Sequence, residues 1–505
     1  MSQSVETPVR GSATAISDLL SVGGARFASV LLSAVWLPLA TRLLAPPEYA
    51  TLAYFAVVSL LLVNVAASWT APAVARYGRE RIDAVGSMKE VSWARFLVVV
   101  PVLGVAGIVL VGLKAFGVLP QEFSWMLTLL AFTYAAVVFA VLHTATVLEA
   151  VGRMKVSAVC SVAAQVMVVL VVIVFSLAGT GDSALAVGSA MVAASGVVAL
   201  VLVRSVWRIG LWPPALDRQL TRRLVLFSLP LVAFSVSQSV IGTVDLIIIR
   251  AFGTVEQAGI YAVAYQSYGA LQQVAAAVIV VLVPLFVSLQ LAKKQVLIRQ
   301  YFERLLPQLI FVFALVIGFL IPFVPFALDV VVPSPYEQAA ESLSVLFLSL
   351  ILFFGASLLA PILVLHERTK AIGYVNALAA AVNVVGDILL IGVFHTGISG
   401  AAWATCAASL IVFGGYLIVA RQCLDSDAWV NPLLWAPVPA ALLPTLFFSG
   451  IGAVAASLAL AAAVGVLAFF AARPFEQRDL ELIDVLGLPP RVGKLVRRGL
   501  AKVAR

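Results

Sequence analysis

Asp245 stands in the run GTVDLIIIR and Asp387 in NVVGDILLIG, two carboxylates inside long apolar stretches. An ionisable group in such a stretch faces a bundle interior or a wet cavity. A desolvated carboxylate changes charge readily, so either acid could bind a coupling proton or sodium ion, or simply pair with a neighbouring helix. Asp387 follows Asn383 at helical i, i+4 spacing, which puts an amide on the same face. Arg26 is a basic residue in an equally apolar setting, either a buried cation facing a cavity or a side chain that snorkels to a nearby surface. Asn64 and Gln238 belong to a thin inventory of in-span amides whose default role is interhelical hydrogen bonding.

A second set of charges comes in duplicate. TRLLAPPEYATLAY (Thr41 to Tyr54) is echoed by IRAFGTVEQAGIY (Ile249 to Tyr261), so that Arg42 and Glu48 recur at the same offset as Arg250 and Glu256. Each Arg-Glu set either lines an outward mouth or ties adjacent helix ends together as a plain ion pair. A shorter echo, GRMKVSAV against ERTKAIGY, repeats Arg-x-Lys at the start of two apolar runs. Pro38 and Pro230 interrupt corresponding runs, where a missing backbone donor loosens a helix that has to bend.

The elements that carry these residues follow from composition. With 505 residues, 63% hydrophobic and 11% charged, and a mean hydropathy of +1.10, the chain reads as an all-α polytopic membrane protein of about 14 transmembrane helices. Spans are expected at 25–44, 49–69, 91–113, 123–148, 156–178 and 184–203. Six more are expected at 224–249, 258–291, 305–328, 340–365, 371–394 and 398–420, and a final two at 433–449 and 451–472. The doubled hinge separates equivalent junctions by an even number of crossings, so the halves are parallel repeats around a central cavity. The expected organisation is a cytosolic segment 1–24, a first six-helix bundle 25–210, a linker 211–223, a second bundle 224–421, two additional helices in 433–472 and a basic cytosolic tail 473–505.

Basic residues then orient the chain, because Lys and Arg next to spans stay on the cytoplasmic side. They fall in alternate connections, with Arg95 counted among those flanking the third span, and only Arg42, Lys114 and Arg250 break the pattern. Both termini are expected in the cytosol. The net charge of +8 is dispersed along these connections, which argues against a nucleic-acid partner. The tail could rest as an amphipathic helix on an anionic leaflet or stay disordered. Three cysteines and three histidines without ligand spacing suggest neither metal nor thiol chemistry. The G-x-G-x-x-A of Gly450, Gly452 and Ala455 lacks the preceding strand that dinucleotide binding needs.

The hinge pattern Arg-x5-Glu-x-Ala, the WTAPAVARYG run (Trp69 to Gly78) and the stretch from His366 to Leu410 resemble the polysaccharide-exporting flippases of the multidrug/oligosaccharidyl-lipid/polysaccharide (MOP) superfamily. That resemblance implies a MATE-like fold and movement of an undecaprenyl-pyrophosphate-linked oligosaccharide across a bacterial inner membrane by alternating access. It also implies membrane lipids, a polysaccharide polymerase and a chain-length regulator as partners, and no cofactor beyond a coupling proton or sodium ion. For such a cargo, Arg26, Arg42 and Arg250 would serve the phosphates and Asn64 and Gln238 the sugars. Asp245 and Asp387 would couple the ion, while Pro38, Glu48, Pro230 and Glu256 would act at hinges or gates. A cation-coupled multidrug antiporter or a lipid II flippase of the same superfamily is the near alternative. A membrane glycosyltransferase or polymerase is the distant one, and it would need an extramembrane site for which no outward loop has room.

Overall fold

The computed structural model describes residues 12–177, 179, 183–291, 295–424, 431–448 and 450–472, among which there is no strand. The first half contains α1 (Ser12–Leu43), α2 (Pro46–Ala66), α3 (Ala71–Val85), α4 (Lys89–Ala115), α5 (Trp125–Ala150), α6 (Met154–Leu177) and α7 (Ala184–Val206). The second contains α8 (Arg218–Phe252), α9 (Val255–Leu291), α10 (Gln295–Gln300), α11 (Leu306–Leu320), α12 (Val324–Val331), α13 (Ala339–Leu365), α14 (Thr369–Asp387) and α15 (Ile398–Leu424). Then come α16 (Pro437–Phe447) and α17 (Gly450–Ala472).

Eleven described helical stretches are long and apolar enough to cross a membrane, which makes this a multi-pass membrane protein. The expected count of fourteen is not reached among the described residues. The described apolar part of α1, Phe27–Leu43, is short. The run expected at 433–449 supplies only the 11 residues of α16, because Pro432 starts a separate 3-10 turn and Phe448 is already extended. Two further boundaries move. α1 begins at Ser12 inside the expected N-terminal segment, and α8 begins at Arg218 inside the expected linker, where Asp217 caps it by accepting from the Gln219 and Leu220 amides at 2.9 and 3.0 Å. The expected basic tail lies outside the described residues.

The internal repeat is visible in the packing. α1 lies on α6 as α8 lies on α14, and α2 on α5 as α9 on α13. α5 and α6 both pack on α7, as α13 and α14 pack on α15. Between the halves α9 lies against α1 and α2, and α8 against α2 and α4.

One face of this assembly is sealed by the two hinges pressing on each other. Pro46 starts α2 at a position where its missing N–H costs nothing, and its carbonyl faces Gly259 so closely that a Cβ there would overlap the oxygen. The Tyr336 hydroxyl, from the connection between α12 and α13, donates to the Leu44 carbonyl at 2.7 Å. Burial pushes its phenol pKa up. Tyr49 packs edge-on against the Tyr336 ring and donates to Gln266 Oε1 on α9 at 2.7 Å. The opposite face carries the arginines of α3, where Arg81 pairs with Asp217 at 3.1 Å and Arg79 donates to the Ala150 carbonyl at 3.3 Å.

Gly259→Val should therefore split the sealed face. The expected outcome is a loss of about 1–3 kcal/mol, the usual cost of overpacking, read as a lower midpoint in a thermal melt of the purified protein. An unchanged melting curve would show that the hinges do not bear on each other.

Candidate functional site

Behind the sealed face, α1, α5, α6 and α9 enclose a chamber of about 610 Å³. Its wall reaches Glu149 at the end of α5 and Met154 at the start of α6, beside the basic connection, so the chamber extends to the basic face. Ser29 and Ser33 of α1, Gln165 of α6, and Gln266 and Gln272 of α9 supply hydroxyls and amides. A side pocket of about 340 Å³ shares Tyr265 and Gln272 with it and is otherwise walled by Tyr268 of α9 and by α8, α13, α14 and α15. A larger apolar groove, about 770 Å³, lies apart from both, between α13, α16 and α17.

Next to the side pocket lies an acidic cluster. Gly386 lets α14 approach α15 until a Cβ there would stand 3.0 Å from that of Ala404, which brings Thr405 to the acids. Asp245 Oδ1 accepts from Asn383 Nδ2 at 3.2 Å, and Oδ2 accepts from Thr405 Oγ1 at 2.6 Å and from the Tyr261 hydroxyl. Asp387 lies beside Asp245, fully buried. Its carboxyl and that of Asp245 act on each other as a hydrogen-bonded pair, which needs a proton shared between them; without that proton both of its oxygens, like Asn383 Oδ1 on the same face of α14, have no hydrogen-bond donor among the described residues. Buried acceptors without donors are rare, because each forfeits its hydration. Three of them beside a second carboxylate make a pocket of negative potential suited to a proton or a small monovalent cation held by oxygen.

The expected site residues fall into distinct places. Asp245 and Asp387 are brought together, and Gln238 lines the side pocket. Arg250 stays at the sealed face, but its partner is Glu122 of the first half, at 2.8 Å, and not Glu256, which is exposed in the first turn of α9. Glu48 likewise does not serve Arg42. It accepts from the Ala184 amide at 2.7 Å and so satisfies the start of α7, while Arg42 is exposed. The tie expected within each hinge is thus replaced, at the second hinge, by an ion pair between halves. Asn64 is half-buried on α2 and accepts from Ser68 Oγ at 2.8 Å, away from the described chamber wall. α1 runs through Pro38 and α8 through Pro230 as continuous helix. The side chains of Arg26 and Pro230 lie outside the described residues.

Arg95 departs from the flanking role that its neighbours suggest. It is 1% exposed inside α4, a buried cation. Its Nε donates to Thr70 Oγ1 at 2.9 Å, Nη2 to the Ala67 carbonyl at 3.4 Å, and Nη1 lies 3.2 Å from His143 Nδ1. The guanidinium also sits over the Phe139 ring at 5.4 Å. The geometry requires His143 to accept through Nδ1 and therefore to be neutral. This cluster pins the break between α2 and α3. The warning in the sequence is the uninterrupted apolar run that begins directly after Arg95.

Comparison with known proteins agrees with this architecture. A family model described as "Polysaccharide biosynthesis protein" matches residues 17–290. The chain belongs to that family. The match covers the first half together with α8 and α9, the helices that form the sealed face and one wall of the chamber. Among curated proteins no match is found. Among solved structures the family member is similar to the lipid II flippase MurJ in an inward closed conformation, with 12% identity over 91% of this chain and 99% of that one and a TM-score of 0.67. It is similar to the MATE multidrug transporter DinF-BH, with 16% identity over 85% and 100% and a TM-score of 0.61. It is also similar to an inward-facing MATE family transporter of the MOP superfamily, with 15% identity over 81% and 98% and a TM-score of 0.56. The fold is therefore MATE-like.

The hydrogen bond from Arg250 holds the Glu122 carboxyl below its ordinary pKa of 4.5. Its contribution is complete above that value and is lost as pH falls through the lowered one. In a double-mutant cycle of Glu122→Gln and Arg250→Gln followed by thermal melting, coupling should be present at neutral pH and vanish in strong acid. Coupling that persists in acid would mean that the pair does not act as an ion pair.

Proposed function

We propose that this protein is a flippase that carries a lipid-linked oligosaccharide from the cytoplasmic to the outer leaflet of a bacterial inner membrane. The observation that carries this reading is the polar chamber between two repeats, reaching the basic face and closed at the other. The distribution of Lys and Arg supports a cytoplasmic basic face, with both termini in the cytosol. A polar headgroup cannot cross hydrocarbon unaided, since each exposed polar group costs several kcal/mol there. A chamber of hydroxyls and amides replaces its hydration while the polyprenyl tail stays in lipid.

Transport then proceeds by rocking of the two repeats. The Arg250–Glu122 pair and the Pro46/Gly259 contact part at the outer face as the chamber closes at the inner one. A proton or sodium ion at Asp245 and Asp387 biases this equilibrium, because it binds the arrangement that gathers the unpaired oxygens more tightly than one that separates them. The undecaprenyl pyrophosphate carrier is the anchor suited to this membrane and this family. A polysaccharide polymerase and a chain-length regulator are the partners that would consume the product. The similarity to a lipid II flippase and to multidrug transporters is one of fold; the serines and glutamines of the wall suit a sugar, while the carboxylate of Glu149 lies at the end of α5, at the basic face.

The test is a chromosomal deletion followed by analysis of lipid-linked sugars. Inner-leaflet accumulation, reversed by the wild-type gene, is the expected result, and Asp245→Asn or Asp387→Asn should lower export at least about tenfold, equivalent to about 1.4 kcal/mol. Unchanged lipid-linked pools together with altered drug sensitivity would replace this reading with antiport.

A further inference from the structure

We infer that the linker between the two repeats, together with the end of α7 and the start of α8, is a docking surface for anionic phospholipid of the leaflet at the basic face. This stands apart from the flippase reading and concerns a surface that the chamber does not use.

The linker is held on one side only. After α7 the chain makes a π-helical turn, Trp207–Leu211, before α8 begins at Arg218. On the inner side the Met88 amide and Ser87 Oγ donate to the Ile209 carbonyl, both at 3.2 Å, and Trp93 Nε1 donates to the Leu211 carbonyl at 2.9 Å. Leu211 is buried in one apolar cluster with Val206 of α7 and with Leu220 and Leu224 of α8. On the outer side Trp207 and Trp212 stack with ring centroids 6.1 Å apart, and they are 47% and 55% exposed. Stacked indoles turned away from the protein suit the membrane interface, where an amphipathic ring rests at headgroup depth.

The flanking helices fix that depth. α8 buries Leu220, Leu224 and Ser228 at i, i+4, i+8 spacing, which turns Arg218, Arg222 and Leu226 outward. Leu226 and Leu229 are exposed apolar side chains at the level of the hydrocarbon, and Arg222 stands about one turn beyond Leu226, roughly 6 Å along the axis. α7 shows the same boundary from the other direction, because exposed Leu200 and Val201 give way to exposed Arg204 and Arg208. Each lipid-facing stripe thus ends in guanidinium groups at the level where phosphates begin.

Charge selects the lipid. The arginines of α3, on the same face of the protein, each have an acid: Arg76 has Glu80 at 3.4 Å, Arg79 has Asp83 at 3.1 Å, and Arg81 has Asp217 at 3.1 Å. Arg204, Arg208, Arg218, Arg222 and Arg223 have no carboxylate within ion-pair distance among the described residues. Asp217, the one acid between Trp207 and Arg223, is engaged by Arg81 and by the first amides of α8. Five guanidiniums without counter-charge favour a headgroup of net negative charge, whose phosphate accepts paired N–H groups. A choline headgroup would bring a cation into the same field. An acidic protein segment would meet the arginines but offer nothing to the apolar stripes beside them.

The test is native mass spectrometry of the full-length protein in detergent with equal amounts of phosphatidylglycerol and phosphatidylcholine. Wild type should retain phosphatidylglycerol at least about tenfold over phosphatidylcholine. Arg222→Gln with Arg223→Gln should weaken that retention about fivefold per arginine, equivalent to about 1 kcal/mol each. Arg222→Lys with Arg223→Lys should keep most of it, because an ammonium still meets phosphate as a point charge. The charge-matched control in α3, Arg76→Gln with Arg79→Gln, should leave it unchanged, since those guanidiniums already have partners. Trp207→Ala with Trp212→Ala should also lower it. Equal retention of the two lipids by wild type, or an equal loss in the α3 control, overturns the surface. Retention that ignores the loss of both tryptophans overturns the linker's part in it. Wild type that does not distinguish the lipids but binds polyglutamate would give the surface to an acidic protein instead.

Discussion

The structure depends on a contact that has almost no room in it. Where α2 starts against α9, the Pro46 carbonyl and Gly259 meet without a side chain between them. Helices in a membrane gain little from hydrophobic burial against each other, so close backbone approach and a few hydrogen bonds have to hold them together. That approach brings Tyr336 onto the Leu44 carbonyl and Arg250 onto Glu122. With one end drawn shut, the helices that diverge from it must leave a space toward the other, and the chamber is that space.

The same packing logic explains why polar groups sit where they do. α13 is buried along most of its length and serves as the beam on which α9, α11 and α15 rest. Against that fixed element, α8, α14 and α15 bring Asp245, Asn383, Asp387 and Thr405 into one cluster. In the first half a buried cluster at a different place, between α4, α5 and the end of α2, holds Arg95 bound to Thr70, His143 and Ala67. Each cluster satisfies part of its hydrogen-bonding capacity within the protein, and the second leaves oxygens over.

Much of this is legible in the sequence, for definite reasons. Apolar runs of spanning length report on the solvent they meet, so the helices are evident and most ends fall within a few residues of their expected places. The doubled hinge foretells a repeat that the parallel packing pairs display. Asp245 and Asp387 stand out because a charge in an apolar run has few reasons to exist. Partners are not legible. Glu122 lies in a short connection far along the chain from Arg250, and nothing local links them. Thr405 and Tyr261 are polar residues of kinds that abound in membrane helices, and only the approach of α15 and α9 to Asp245 on α8 distinguishes them. Arg95 passes for a surface charge because it stands close to true ones, within the first turns of a span. The prolines near α16 leave too little uninterrupted chain for a full crossing, and the helix there is accordingly short.

Repeats that pack alike need not be lined alike. The two bundles share one scaffold, which permits them to move as equal partners in a single swing. Their interiors have diverged, with a guanidinium walled into one and paired carboxyls into the other. Whatever enters between them meets Ser29, Ser33 and Gln165 on one side and Tyr265, Gln266 and Gln272 on the other, so the compartment has handedness even though its frame is nearly symmetric. A molecule turned end for end in such a space would face a different set of groups, so its two orientations are inequivalent before any motion begins.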